Sequence, residues 1–117
     1  MPKLIMVVDD EEDIRTSVRT VLEKEGYKIV TAENVDDCLK KLKSKKFDLI
    51  LLDVMMPGTP VSEIIDKVKD IKIALFTVVR STESEKEALL KNKNVVGYIQ
   101  KPISVTELVS EVKKLTK

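Results

Sequence analysis

An α/β fold, a doubly wound five-stranded parallel sheet with helices on both faces, is what this 117-residue sequence predicts. Three observations lead there. Short, unbroken apolar runs recur along the chain, of the kind that strands buried on both faces require. Between them lie stretches whose apolar residues return at helical spacing. Strand and helix alternate from end to end with no Gly/Ser-rich linker or low-complexity segment. That alternation implies right-handed crossovers and a single domain over residues 1–117.

The first strand is the apolar run within Lys3–Val8, which ends on the acids Asp9, Asp10, Glu11 and Glu12. Ile14, Val18, Val21 and Leu22 give a helix reaching Glu25, with Gly26 to end it. Tyr27–Ala32 reads as the second strand. Asn34 suits the N-cap of a second helix, with Asp36 and Asp37 in the first turn, where negative charge is favoured. Val35, Cys38, Leu39 and Leu42 form its apolar stripe, so Cys38 reads as packing rather than redox chemistry. The third strand, Phe47–Asp53, is the most informative: the apolar run Leu49–Leu52 ends abruptly on a carboxylate. Pro57, Gly58 and Pro60 then make a stiff loop, and Ile64, Ile65 and Val68 mark a third helix. Lys72–Thr77 is the fourth strand, ending in a hydroxyl. Arg80–Ser84 is a polar loop leading to a short fourth helix through Ala88, Leu89 and Leu90. Val95–Gln100 is the fifth strand, closed by Lys101-Pro102. Ser104 with Glu107 is a capping box for the last helix, whose stripe is Val105, Leu108, Val109, Val112 and Leu115.

Composition narrows the chemistry. Apolar content of 43% and charged content of 35% describe an ordinary globular domain. The 21 basic and 20 acidic residues leave a net charge of +1, so no whole-molecule field favours nucleic acid or a membrane. Lys40, Lys41, Lys43, Lys45 and Lys46 read as complementing a helix C-terminus and as a solvated face, not as a phosphate grip. The N-terminal apolar run meets Asp9 and Asp10 too soon for a signal peptide. No stretch of roughly 18 apolar residues offers a membrane span. One cysteine fits a reducing compartment, and the expected localisation is cytoplasmic. With no histidine and a single cysteine, His-based catalysis, His-ligated metal and a Cys-rich zinc site are excluded. Any metal must be held by oxygen, which favours magnesium, calcium or manganese.

In a parallel sheet the carboxyl ends of all strands share one edge, where ligands bind in open α/β folds. The residues just beyond the strands are Asp9 and Asp10, Asp53, Thr77 and Lys101. Grouped carboxylates repel one another unless a cation neutralises them. A hard divalent ion would do so through two carboxylates and a carbonyl. A lysine and a hydroxyl suit phosphoryl oxygens, and a carboxylate can serve as the nucleophile. Together these groups form a phosphoryl-transfer constellation.

Asp9-Asp10, the segment Leu-Leu-Asp-Val-Met-Met-Pro around Asp53, Thr77 and Lys101-Pro102 resemble the receiver domain of two-component response regulators, over essentially the whole chain. The resemblance implies a flavodoxin-like strand order 2-1-3-4-5 and a stand-alone, chemotaxis-receiver-like signalling module. Asp53 would accept a phosphoryl group from a histidine kinase or phosphotransfer protein. Asp10, Asp53 and the Met55 backbone carbonyl would hold Mg2+, or Mn2+, with Asp9 assisting. Thr77 and Lys101 would bind the phosphoryl oxygens, and Tyr98 would turn inward as Thr77 moves. The phosphorylated protein would signal to a downstream target protein through the face made by the fourth helix, fifth strand and last helix, which could also form a homodimer. Neither direct DNA binding nor membrane attachment is expected. With nothing after Lys117 to form a helix-turn-helix, output would pass through another protein or a further domain. It would catalyse its own phosphorylation and dephosphorylation without being a conventional turnover enzyme.

The sequence also departs from that family's pattern. Val78 follows Thr77 where a small residue is usual, and Val61 stands where a glycine is common. Asn94 replaces the glycine expected before the fifth strand, as a residue that tolerates left-handed backbone. Met55 and Val79 carry no group to orient water, which implies a comparatively long-lived phosphoryl-aspartate. A magnesium-dependent aspartyl phosphatase of the haloacid dehalogenase type needs a second carboxylate where Met55 stands. A flavodoxin-like cofactor protein needs a glycine-rich phosphate loop, but the chain has only three glycines and no tryptophan. A pseudo-receiver, an interaction module that takes no phosphate, is opposed by Asp53, Asp10, Thr77 and Lys101, whereas Val78 favours it.

Overall fold

The computed structural model describes residues 3–53, 62–68, 70–77, 91–100 and 104–116. In chain order the elements are β1 (Leu4–Val8), α1 (Glu12–Lys24), β2 (Lys28–Ala32), α2 (Val35–Leu42), β3 (Leu49–Leu52), α3 (Ser62–Lys67), β4 (Lys72–Thr77), β5 (Val95–Gln100) and α4 (Val105–Leu115). All strand pairs are parallel and the sheet order is β2-β1-β3-β4-β5. The expected loop at Pro57–Pro60, the short helix through Ala88–Leu90, and Lys101-Pro102 lie outside the described residues.

Because successive side chains of a strand point to opposite faces, each inner strand feeds two cores. Met6 and Val8 of β1, Ile50 and Leu52 of β3, and Ile73 and Leu75 of β4 pack with Val35 and Cys38 of α2 and Ile64 and Ile65 of α3. Ile5 and Val7, Leu49 and Leu51, and Ala74 and Phe76 point the other way, onto Val18 and Leu22 of α1 and Leu108 and Val112 of α4. Burial on both faces is why β3 is apolar throughout.

The ends of the elements follow local chemistry. Gly26, with φ 95°, closes α1: its N–H donates to the Glu23 carbonyl at 3.1 Å, and that of Tyr27 to the Leu22 carbonyl at 3.2 Å, a Schellman pair. Asn34 caps α2 by accepting from the Asp37 N–H at 2.7 Å, and Ser104 caps α4 by accepting from the Glu107 N–H at 3.1 Å. In β5, Val95 stands opposite Ile73 and Gly97 opposite Ala74, leaving Val96 as an extra residue. This bulge re-aims the strand, and Val96 is 39% exposed. Past it, a Cβ at Gly97 would lie 3.2 Å from Leu115 Cδ1, so a side chain there would crowd α4.

Asn94 departs from expectation. Among the described residues no non-glycine has a positive φ, so left-handed backbone is not what selects asparagine here. Its side chain is buried, and Nδ2 donates to the carbonyls of Ile65 at 3.0 Å and Val68 at 2.7 Å. It thereby satisfies orphan carbonyls at the end of α3 and ties that helix to the entry of β5. Asn94→Ala should cost about 1–3 kcal/mol in denaturant unfolding, because it strands buried carbonyls. Asn94→Gly should be no better, whereas a backbone role would make glycine the tolerated change.

Cys38 is fully buried, as its place in the apolar stripe of α2 implied. Burial first, and then the neighbouring Asp37 carboxylate, push its thiol from 9.0 up to about 12, opposed by Lys41. The folded state therefore holds a proton that the unfolded chain releases near pH 9, so this contribution to stability is complete below pH 9 and lost as pH rises towards 12. Native protein should resist a disulfide reagent until it unfolds, and its loss of stability above pH 9 should be shallower in Cys38→Ala.

Candidate functional site

The sheet order places a topological switch point between β1 and β3, because the chain winds outward in opposite directions from β1. The residues that follow these adjacent strands are Asp9 and Asp53. Each is held by an extension of the sheet's own hydrogen bonding. The Asp9 N–H donates to the Ala32 carbonyl at 3.1 Å, and the Asp53 N–H to the Val8 carbonyl at 3.0 Å. Ladder bonds thus carry both carboxylates to the carboxyl edge with little freedom in their backbones.

Asp9 is 1% and Asp53 5% exposed, whereas Asp10 is exposed. One carboxylate oxygen from each of the three lies within 4.8 Å of the others. Asp9 also has a structural task. Glu11, the N-cap residue of α1, makes no side-chain cap, and Asp9 Oδ1 accepts from the Glu11 N–H at 2.9 Å instead. Asp9 thus offers the helix start a partner while facing the cluster.

Arg15 is a member of the site that the sequence pattern did not isolate. From the first turn of α1 its Nη1 donates to the Asp9 carbonyl at 2.6 Å. The bond fixes the β1–α1 connection. Its signal in the sequence was faint: one arginine in a helix also rich in exposed charges.

Grouped, partly desolvated carboxylates are stabilised together by a compensating cation. Oxygen donors at this spacing fit a hard divalent ion such as Mg2+, while softer metals would want nitrogen or sulfur. Of the other expected site residues, Thr77 ends β4 with its backbone opposite Gln100, the residue before Lys101. The Thr77 side chain, Lys101 and Met55 lie outside what is described. Tyr98 is half-buried, stands opposite Leu75 in the ladder, and packs against the core on the α2–α3 face.

Comparison with known proteins agrees with this geometry. Residues 5–113 match the family model described as response regulator receiver domain. The chain is 36% identical over 118 residues to the alkaline phosphatase synthesis transcriptional regulatory protein PhoP of Bacillus subtilis, covering 98% of this chain and 49% of that protein. It is 40% identical over 114 residues to the transcriptional regulatory protein ResD of the same species, covering 95% and 47%. The chain therefore spans about half the length of the curated relatives it matches. Among solved structures, a CheY-like response regulator receiver domain protein from Methanospirillum hungatei superposes with a TM-score of 0.88 at 29% identity, covering 98% of this chain and 94% of the other. The response regulator TrrA of Thermotoga maritima, solved in complex with Mg(2+)-BeF, gives a TM-score of 0.81 at 41% identity, covering 97% and 98%.

Without divalent metal, neutralising one of the clustered acids should relieve repulsion. Asp10→Asn is expected to raise unfolding free energy by about 1 kcal/mol or more in chelator. Saturating magnesium should cancel or reverse that gain. Thermal unfolding with and without the ion reads both arms.

Proposed function

The chain belongs to the response regulator receiver domain family, and from that membership we propose that Asp53 is its phosphoacceptor, in a reaction that depends on a divalent cation. The observation that supports this most is the approach of Asp9, Asp10 and Asp53 to within 4.8 Å at the switch point of the sheet. An Asp53 carboxylate oxygen attacks the phosphorus of a phosphohistidine, on a kinase or a phosphotransfer protein. The P–N bond breaks, and the departing imidazole nitrogen takes up a proton. Asp10, Asp53 and the Met55 carbonyl, assisted by Asp9, would hold Mg2+, with Mn2+ as a substitute. Bound there, the ion supplies the positive charge that carboxylates and phosphoryl oxygens jointly require. The complex that TrrA forms with Mg(2+)-BeF supports the same reading for this chain.

Thr77 and Lys101 would bind the phosphoryl oxygens. The pairing of Thr77 with Gln100 sets the ends of β4 and β5 side by side, and Lys101 is the next residue. A phosphoryl group adds about two negative charges at the edge. A lysine and a hydroxyl drawn to it would shift the segment after β4, and Tyr98 would follow inward. The altered face, formed by the segment after β4 together with β5 and α4, would be what a downstream protein or a second copy reads. The balance between the two forms exists before phosphorylation and is biased by it. The transcriptional roles of PhoP and ResD belong to proteins about twice this length, and DNA binding by this chain is no part of the proposal.

Intact mass after incubation with acetyl phosphate or phosphoramidate and magnesium tests the acceptor. The expected result is one added phosphoryl group, absent without magnesium and absent in Asp53→Asn. After donor removal the adduct should decay faster in Met55→Asn than in the parent, because an amide can orient the attacking water. A protein that gains no adduct and binds no magnesium would favour the interaction-module reading. One that gains none but still binds magnesium would point to access blocked by Val78 or to a donor that must be the kinase itself.

A further inference from the structure

The lysines at the end of α2 face a groove that the phosphoryl chemistry does not use. α2 starts beyond β2 at the carboxyl edge and runs back to the start of β3. Its last turn, and that of α3 before β4, therefore lie at the amino edge of the sheet, opposite the acidic cluster. Between the two helix ends is an open groove of about 420 Å³. Among the described residues, Leu39, Leu42 and Val68 supply its apolar lining, and Lys40, Lys43 and Lys67 its positive charge, against the carboxylate of Asp36. Lys45 and Lys46, both exposed, continue the positive surface beyond α2.

These lysines differ in how far they are already committed. Lys41 is engaged within its own unit, donating to the Thr31 carbonyl and pairing with Asp37 at 3.1 Å. Among the described residues, Lys67 pairs with Glu63 one turn back, at 3.4 Å and largely in solvent, a contact of little strength. Among the described residues no ion pair engages Lys40 or Lys43. Complementing helix C-termini accounts for part of this charge. It does not account for an open cleft of ligand-site size in which Leu39 and Leu42, half-buried against the core, and the buried Val68 meet three lysines and one carboxylate, that of Asp36, among the described residues.

We propose that the α2–α3 groove is a docking site for an acidic amphipathic peptide segment of a partner protein. Apolar side chains at helical spacing would lie on Leu39, Leu42 and Val68, while flanking carboxylates meet Lys40, Lys43 and Lys67. Charge complementarity selects this occupant: a neutral apolar segment leaves the lysines unanswered, and a basic one is repelled. The surface is remote from Asp53, so a partner can occupy it whether or not the acceptor is modified.

The immobilised, unphosphorylated protein, panned against a displayed library of random peptides, provides the test, and the selected peptide is then titrated into isotope-labelled protein. Selected sequences should carry Asp or Glu around Leu- or Phe-type residues. Amide shifts should map to Leu39, Leu42, Lys43 and Val68. The charge reversal Lys40→Glu with Lys43→Glu, both exposed positions, should weaken binding about tenfold or more and make the remainder insensitive to salt. Enrichment of neutral or basic peptides, shifts elsewhere, or binding that survives the reversal overturns the proposal. Concentration-dependent shifts at the same amides without peptide would assign the groove to a second copy and equally overturn it. None of these readouts involves phosphate, so they stand or fall apart from the role of Asp53.

Discussion

Asp9 and Asp53, nearly buried at the ends of neighbouring strands with Asp10 beside them, impose the constraint from which the rest of the site follows. Like charges at this spacing in a partly desolvated place raise the energy of the folded chain. They persist because their positions are over-determined. Backbone bonds from Asp9 to Ala32 and from Asp53 to Val8 continue the ladders on both sides of β1. Glu11 and Arg15 hold the connection into α1. A group of anions fixed in this way responds strongly to whatever positive or phosphoryl charge joins it. That responsiveness is what a switch needs.

The sheet provides the rigidity that this arrangement requires. Each of β1, β3 and β4 is packed on both faces, so the strands cannot shift to relax the acids without opening two cores at once. The edge strand β5 is built differently. Its bulge at Val96 and its bare position at Gly97, pressed by Leu115, make it the strand whose fit depends on α4. Asn94 anchors its entry to the end of α3.

A net charge of +1 conceals local groupings of like charge. Carboxylates gather at the carboxyl edge of the sheet, while Lys40, Lys43 and Lys67 border an apolar groove at the amino edge. Each end of the domain can thus meet a partner of different chemistry.

The amino-acid sequence by itself determined the alternation of strands and helices, the bounds of β4 and β5, the caps at Asn34 and Ser104, and the convergence of Asp9, Asp10 and Asp53. It could do so because burial on both faces of a parallel strand leaves a continuous apolar run, and a charge can end that run only at an edge. Periodicity reports that a residue is buried, and not which distant residue it meets. Periodicity alone therefore did not yield the strand order, which came from family resemblance and is seen in the ladders. Only the tertiary structure decided that Arg15 reaches the Asp9 carbonyl, that Asn94 serves two carbonyls of another helix rather than a left-handed turn, that Val96 is bulged, and that lysines from separate helices border one groove. Each of these depends on segments far apart in the chain meeting in space, and the local pattern of residues carries no record of such meetings.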